Sequence, residues 1–270
     1  ELHLLLQTCL SNRENGLVTA CVDEYQSLLG KLNNGTKACK RGKTHLCGLF
    51  KALRGGKQME AHEKLTLGPW QERNLMWWAR VTETEMLPES LFDKIPTLEK
   101  RYCGHSDAAT GAGYGGFCNR KGGHTRIKVF GSTVIKVEKD TCYYIKGEWN
   151  TVERKPIDTQ TEEFEGKRMG INFLEMATVG MLIAATKAIG GFEDNCSKFY
   201  CDNETTVKVL NSYKTRTLPL CTLLENIDFE TTKRNINLTY EWIATKRNIE
   251  SDLLSRGLVE EFKAYIRKTY

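Results

Sequence analysis

Lys198-Phe199-Tyr200-Cys201-Asp202-Asn203-Glu204 runs from a short strand straight into an acid and the start of a helix. Aromatic and small apolar residues over 198–201 favour a strand, and the polar trio after them opens a helical run over 204–213. Asp202 therefore sits at a strand end. As a helix N-cap it would be ordinary, because Asp accepts well from the first amides of a helix. In an α/β sheet, however, strand ends and helix starts face one edge, and sites form there.

The sequence on either side extends this alternation. Upstream, 102–109 and 113–118 predict two strands joined by a turn at Thr110-Gly111-Ala112, and 128–137 and 142–149 predict two more. Residues 172–189 form a strongly helical run. Downstream, 218–226 predicts a helix, 237–244 alternates as a strand, and 251–267 predicts a last helix. The order is that of a mixed sheet flanked by helices.

Three more acids occupy comparable places. Asp107, in His105-Ser106-Asp107-Ala108-Ala109, lies on the first strand, and its small neighbours leave the carboxylate accessible. Glu175 falls in the first turn of the long helix, among Phe173, Leu174, Met176 and Ala177, where an acid also simply suits the helix dipole. Asp252 opens the last helix. Four carboxylates brought to one edge repel one another unless cations neutralise them. Oxygen-only ligands favour hard cations such as magnesium or manganese. Two such ions about 3.5–4 Å apart suit displacement at a phosphodiester.

Upstream of residue 98 the pattern is helical. Val22, Tyr25, Leu28, Leu29 and Leu32 fall at helical spacing, and a second run holds Leu46, Leu49, Phe50 and Leu53 before Gly55-Gly56 breaks it. A third run over 66–81 has Thr66 as its cap and Pro69 in its first turn. Pro88 and Pro96 punctuate the connector that follows. Lys37, Lys40, Arg41, Lys43, Lys51, Arg54 and Lys57 form a block without Asp or Glu. Such a block either neutralises phosphates or is a solvated helix face.

At 40% hydrophobic and 27% charged, 270 residues make one large or two modest globular domains. No stretch reaches the roughly 20 apolar residues of a membrane helix, and no secretory signal opens the chain, so an intracellular protein is expected. The first residue is Glu, which points to a piece of a longer chain. Ten scattered cysteines include no C-x-x-C pair and are expected to be mostly reduced. Cys39, His45, Cys47 and His62 match no common zinc spacing.

The motifs Ser-Asp-Ala-Ala with Gly-Tyr-Gly-Gly, then Phe-Leu-Glu-Met-Ala, then Tyr-Cys-Asp-Asn, then Asn-Ile-Glu-Ser-Asp-Leu-Leu-Ser-Arg occur here in that order. Together they resemble the ribonuclease H domain of retroelement reverse transcriptases, most closely those of DIRS-type tyrosine-recombinase retrotransposons, with hepadnaviral and caulimoviral polymerases next. The most distinctive piece is the ending at 248–256. The resemblance implies a ribonuclease H-like mixed five-stranded sheet flanked by helices and preceded by a small helical domain. It implies an N-terminal arm over 1–15, a thumb- or connection-like region over 16–97, and a ribonuclease H-like domain over 98–270.

The same resemblance implies a metal-dependent endonuclease that hydrolyses the RNA strand of RNA–DNA hybrids as part of a reverse transcriptase. Asp107, Glu175, Asp202 and Asp252 would be its catalytic residues and would bind two Mg2+ or Mn2+ ions. Lys37, Lys40, Arg41, Lys43, Arg54, Lys57 and Asn203 would contact nucleic acid, and the polymerase part of the same polyprotein would be a partner. Two features depart from the pattern: residues 242–251 contain no His, and 119–171 is longer than a strand and turn require. No Tyr-x-Asp-Asp polymerase motif occurs. Two alternatives are a domesticated or structural module that binds nucleic acid or a large assembly without cleavage, and an integrase- or resolvase-like nuclease on the same fold.

Overall fold

The computed structural model describes residues 1–53, 60–83, 102–109, 113–120, 134–136, 141–149, 170–188, 196–215 and 217–269. The Gly55-Gly56 break, the connector with Pro88 and Pro96, the turn at 110–112 and most of the 119–171 insertion lie outside the described residues. The chain forms two compact units, 1–94 with 212–221, and 95–211 with 222–270.

The first unit contains helices α1 (Leu2–Ser11), α2 (Val22–Gly35), α3 (Cys47–Leu53) and α4 (Pro69–Glu83), with a 3-10 turn at Lys40–Leu46. Its core joins Leu6, Tyr25, Leu29, Leu32, Leu49, Leu67 and Trp78. Leu6 is fully buried, so α1 is part of the packed unit. Three short strands were not expected from the sequence: β1 (Arg13–Glu14), β2 (Leu17–Cys21) and β3 (Lys64–Leu67), paired antiparallel in that order. The reason is local. Asn15 and Gly16 both take positive φ, 52° and 82°, which is the requirement of a tight hairpin turn with the twist of its strands. Thr66 lies in β3 opposite Thr19 and does not cap a helix, while Pro69 does start α4.

The second unit holds a six-stranded sheet. Its strands are β4 (Tyr102–Ala108), β5 (Gly113–Arg120), β6 (Val134–Lys136), β7 (Thr141–Glu148), β8 (Cys196–Cys201) and β9 (Asn237–Trp242), in the order β6-β7-β5-β4-β8-β9. The β7-β5-β4 part is an antiparallel meander, and β8 and β9 add parallel to β4. This is a mixed sheet flanked by helices, as the element order predicts, with β6 at the edge as a sixth strand where five were expected. The helices of this part of the chain are α5 (Ile171–Ala185), α6 (Glu204–Ser212), α7 (Leu218–Lys233), α8 (Ile249–Ser255) and α9 (Val259–Thr269), with Ser212 of α6 and the first turn of α7 grouped with the first unit.

Neighbouring glycines of β5 show how the sheet is sandwiched. Successive strand residues face opposite sides. A Cβ built on Gly115 would lie 2.4 Å from Leu254 Cβ on α8, and one on Gly116 would meet Leu182 of α5 at 3.3 Å. Thus α8 and α5 cover opposite faces. On the α8 side, Phe117 and Tyr144 pack with Leu254, Phe262 and Ile266. On the other, α5 buries Phe173, Leu174, Met176, Val179, Leu182 and Ile183. The single last helix expected over 251–267 is two helices, because Gly257 takes φ 77° and turns the chain between them.

Candidate active site

The sheet register places the first two acids. Ser106 of β4 pairs in parallel with Cys201 of β8. Asp107 follows Ser106 on β4 and Asp202 follows Cys201 just past the end of β8, so both acids leave the same end of this parallel pair. Glu175 reaches the same edge from the opposite face. Its Oε1 accepts the Ala108 backbone N–H at 3.1 Å, and its Oε2 accepts from the Cys201 thiol at 3.6 Å. Ligand atoms of Glu175, Cys201 and Asp202 all lie within 4.8 Å of one another.

Asp252 arrives on α8. Buried Asn248 precedes that helix and donates through Nδ2 to the Ser106 carbonyl at 2.9 Å. The Ser255 hydroxyl lies 2.5 Å from Asp107 Oδ2 and 3.0 Å from the Asp252 carbonyl oxygen. Asp252 itself is partly exposed and paired with Arg256 Nε at 2.7 Å. The close approach at Gly115 is what lets α8 come down on the sheet beside Asp107, since any side chain there would strike its backbone.

Burial dominates the electrostatics, with mutual repulsion added to it. Burial pushes the Glu175 carboxyl up to about 9, and the charges of Asp107 and Asp202 push the same way. Burial also raises Asp107 to about 6 against the lowering effect of its Ser255 hydrogen bond, with Asp202 and Asp252 contributing upward. Burial, followed by the Glu175 charge, holds the Cys201 thiol well above its usual range. Cys201 is therefore a neutral donor to Glu175, and the groups left to bind a cation are carboxylate oxygens. Such a donor set fits a hard divalent ion, because its charge would offset the burial and the mutual repulsion that raise both carboxyls.

Other candidates are placed differently. Lys37 and Lys40 are exposed and Lys43 partly so. Arg41 is buried, 3% exposed, with its guanidinium 5.8 Å from the Tyr213 ring centroid. That burial is at odds with the expectation of a surface phosphate contact. Arg54 and Lys57 lie outside the described residues. Asn203 caps α6, its Oδ1 accepting from Thr206 N at 2.9 Å, and its Nδ2 donates to Asn172 Oδ1. Cys39, His45, Cys47 and His62 form no metal cluster among the described residues: Cys47 is disulfide-bonded to Cys221, His45 bonds Asn74 and His62 pairs with Glu60. Cys9, Cys21, Cys103 and Cys201 are not disulfide-bonded.

Asn248, Ser255, Cys201 and Trp242 were not singled out from the sequence as site residues. Two of them stand inside the 248–256 motif, and Cys201 touches Asp202 in the chain. Trp242, half exposed at the end of β9, donates its indole N–H to the Asp202 carbonyl at 2.9 Å.

No protein-family model matches the chain, and no curated protein matches its sequence. Among solved structures it is similar to the N-terminal ribonuclease H domain of a Mycobacterium tuberculosis protein, at 13% identity over 62% of this chain and 99% of that one, TM-score 0.36. A compost-metagenome ribonuclease H1 in complex with RNA/DNA hybrid matches at 16% identity over 57% of this chain and 93% of that one, TM-score 0.36. A foamy-virus protease–reverse transcriptase in complex with double-stranded DNA matches at 14% identity over 88% of this chain and 34% of that one, TM-score 0.31.

Proposed function

We propose that the chain is a metal-dependent endonuclease that hydrolyses the RNA strand of RNA–DNA hybrids, acting as the ribonuclease H part of a retroelement reverse transcriptase. The observation that carries this reading is the convergence at one sheet edge. Asp107 and Asp202 follow the last residues paired between β4 and β8, Glu175 hydrogen-bonds Ala108 and Cys201 beside them, and burial, with mutual charge added, drives the Asp107 and Glu175 carboxyls upward. An acidic cluster of this kind is unfavourable unless it has a cation to hold.

Asp107, Glu175, Asp202 and Asp252 would hold Mg2+ or Mn2+, two ions in all. Bound there, such ions make water a better nucleophile and stabilise the attacking and leaving oxygens of an in-line displacement. The protein's own groups do the positioning. Ala108 N–H and the Cys201 thiol fix the two oxygens of Glu175, Ser255 fixes Asp107, and Asn248 anchors the start of α8 and so places Asp252. Asp252, partly exposed and paired with Arg256, forms the outer rim. Selectivity for RNA would come from contacts to the 2′-hydroxyl and the shape of the hybrid.

The catalytic part is assigned to 98–270. Residues 16–97 are assigned to gripping the duplex through Lys37, Lys40 and Lys43, with the polymerase part of the same polyprotein as partner. No helix among the described residues is long and apolar enough to cross a membrane. The test is incubation of the protein with end-labelled RNA–DNA hybrid, RNA duplex and DNA duplex in Mg2+, Mn2+ or chelator. Cleavage confined to the RNA of the hybrid and abolished by chelator is expected. Equal cutting of all three duplexes, or cutting in chelator, would overturn the assignment.

A further inference from the structure

Of the chain's five tryptophans, Trp242 is the one that is exposed, at 51%. An indole that size left half in water at a strand end is costly unless something covers it in use. Its position is fixed, because Nε1–H donates to the carbonyl oxygen of Asp202, one of the cluster acids. The segment that follows, Thr245–Arg247, is a 3-10 turn whose Lys246 and Arg247 side chains are exposed. Among the described residues neither has an ion-pair partner, and 242–249 contains no acid to neutralise them. A flat apolar face, hydrogen-bonded to the backbone of a cluster acid and followed along the chain by two exposed cations, is the combination that holds a nucleic-acid strand: a base stacks on the ring and phosphates meet the cations.

We propose that Trp242, Lys246 and Arg247 form a strand-positioning platform, with Trp242 stacking a nucleobase next to the scissile phosphate and the two cations taking flanking phosphates. The proposal rests on the nuclease reading above and names how that site holds its strand. The platform lies where the sequence has no His before Asp252, so this loop works by stacking and charge, without imidazole chemistry.

The test uses the full chain and a labelled RNA–DNA hybrid. Binding is followed in chelator by anisotropy and by quenching of tryptophan emission, and cleavage is followed in Mg2+. Trp242→Ala is expected to weaken binding about tenfold and raise KM by a similar factor, with kcat within about twofold. Trp242→Phe keeps a stacking face and loses the N–H donor, and should stay within about threefold of the parent. Lys246→Ala/Arg247→Ala should lower the slope of log K against log salt by about two. If Trp242→Phe is as impaired as Trp242→Ala, the indole serves only to brace Asp202 and the platform is wrong. Unchanged binding in both Trp242 variants, or a fall in kcat at saturating hybrid with KM unaltered, also overturns it. If the parent protein binds hybrid and is quenched through Trp242 without cleaving it, the platform stands and the nuclease reading falls.

Discussion

The side-chain amide of Asn248 donates to the carbonyl oxygen of Ser106, 142 residues earlier, at 2.9 Å. Both residues are buried, with Asn248 completely so. Ser106 is the last paired residue before Asp107 on the β4–β8 ladder, and Asn248 accepts from the Asp252 amide through its own carbonyl. One hydrogen bond thus ties the backbone at one acid to the helix start that carries another.

Removing that tie should be expensive. Asn248→Ala leaves the Ser106 carbonyl buried without this donor, a loss of about 1–3 kcal/mol. Chemical denaturation should show destabilisation of that size, and the Mg2+ concentration for half-maximal cleavage should rise. Parent-like stability would mean that α8 is held by its apolar packing alone.

Gly115→Ala tests the same junction from the sheet side. The added Cβ would fall 2.4 Å from Leu254 Cβ and 2.4 Å from Ser255 N, so α8 must move outward. Overpacking of this kind typically costs about 1–3 kcal/mol. Thermal denaturation should show the loss, and metal affinity by calorimetry should fall because Ser255 and Asp252 shift away from Asp107. Gly113→Ala would not be a fair control, because its Cβ meets the Gly147 carbonyl at 2.0 Å. Gly257→Ala, strained by its positive φ but open in space, separates backbone strain from displacement of α8.

Much of this was legible in the chain, for physical reasons. The strand ending at Cys201, the apolar α5 run and the order of elements follow from periodicity, and the proposed quartet was picked out by its places at strand ends and helix starts, where the structure puts Asp107 on β4, Glu175 in α5, Asp202 just after β8 and Asp252 in α8. The Asn15-Gly16 hairpin escaped because helical spacing at Val22, Tyr25 and Leu29 dominates that region, although Asn-Gly is itself the hairpin signal. Burial of Arg41 could not be read from a charge block, since a charge count is blind to the Tyr213 ring that covers it. The Cys47–Cys221 pair, 174 residues apart, has no spacing signature at all. Ser255 and Asn248 were visible as letters in a motif, but their partners exist only once β4 and α8 meet.

The charge block divides accordingly. Lys37→Ala, Lys40→Ala and Lys43→Ala combined should weaken different hybrid sequences about equally and flatten the salt slope, each phosphate contact removing about one unit. Arg41→Ala should instead lower thermal stability, because it empties a buried site against Tyr213. A salt slope unchanged in the triple variant would make these lysines a solvated face.

The pH dependence of the metal-free protein has a definite sign. Glu175 has its folded pKa raised to about 9 and Asp107 to about 6, so the stability they contribute is complete at low pH and is lost as pH rises through those values. His105, lowered to about 4 by burial, acts oppositely but only below its unfolded value of 6.5. In chelator, the melting temperature should therefore fall between pH 6.5 and 9. Mg2+ should restore it, and Glu175→Gln should flatten the decline. A metal-free melting temperature that rises across this window contradicts the repulsive cluster.

Asp202→Asn gives the most direct test of the central claim, read as single-turnover cleavage of labelled RNA–DNA hybrid in Mg2+ with binding measured alongside. The substitution keeps the shape and the backbone carbonyl that Trp242 bonds, and it deletes one cation-holding charge. The account predicts that hybrid binding stays within about threefold while cleavage falls by more than about a hundredfold, about 2.7 kcal/mol of barrier at 1.36 kcal/mol per decade. Cleavage at near the parent rate would mean that the Asp202 carboxylate holds no catalytic cation, and the active-site assignment would fall.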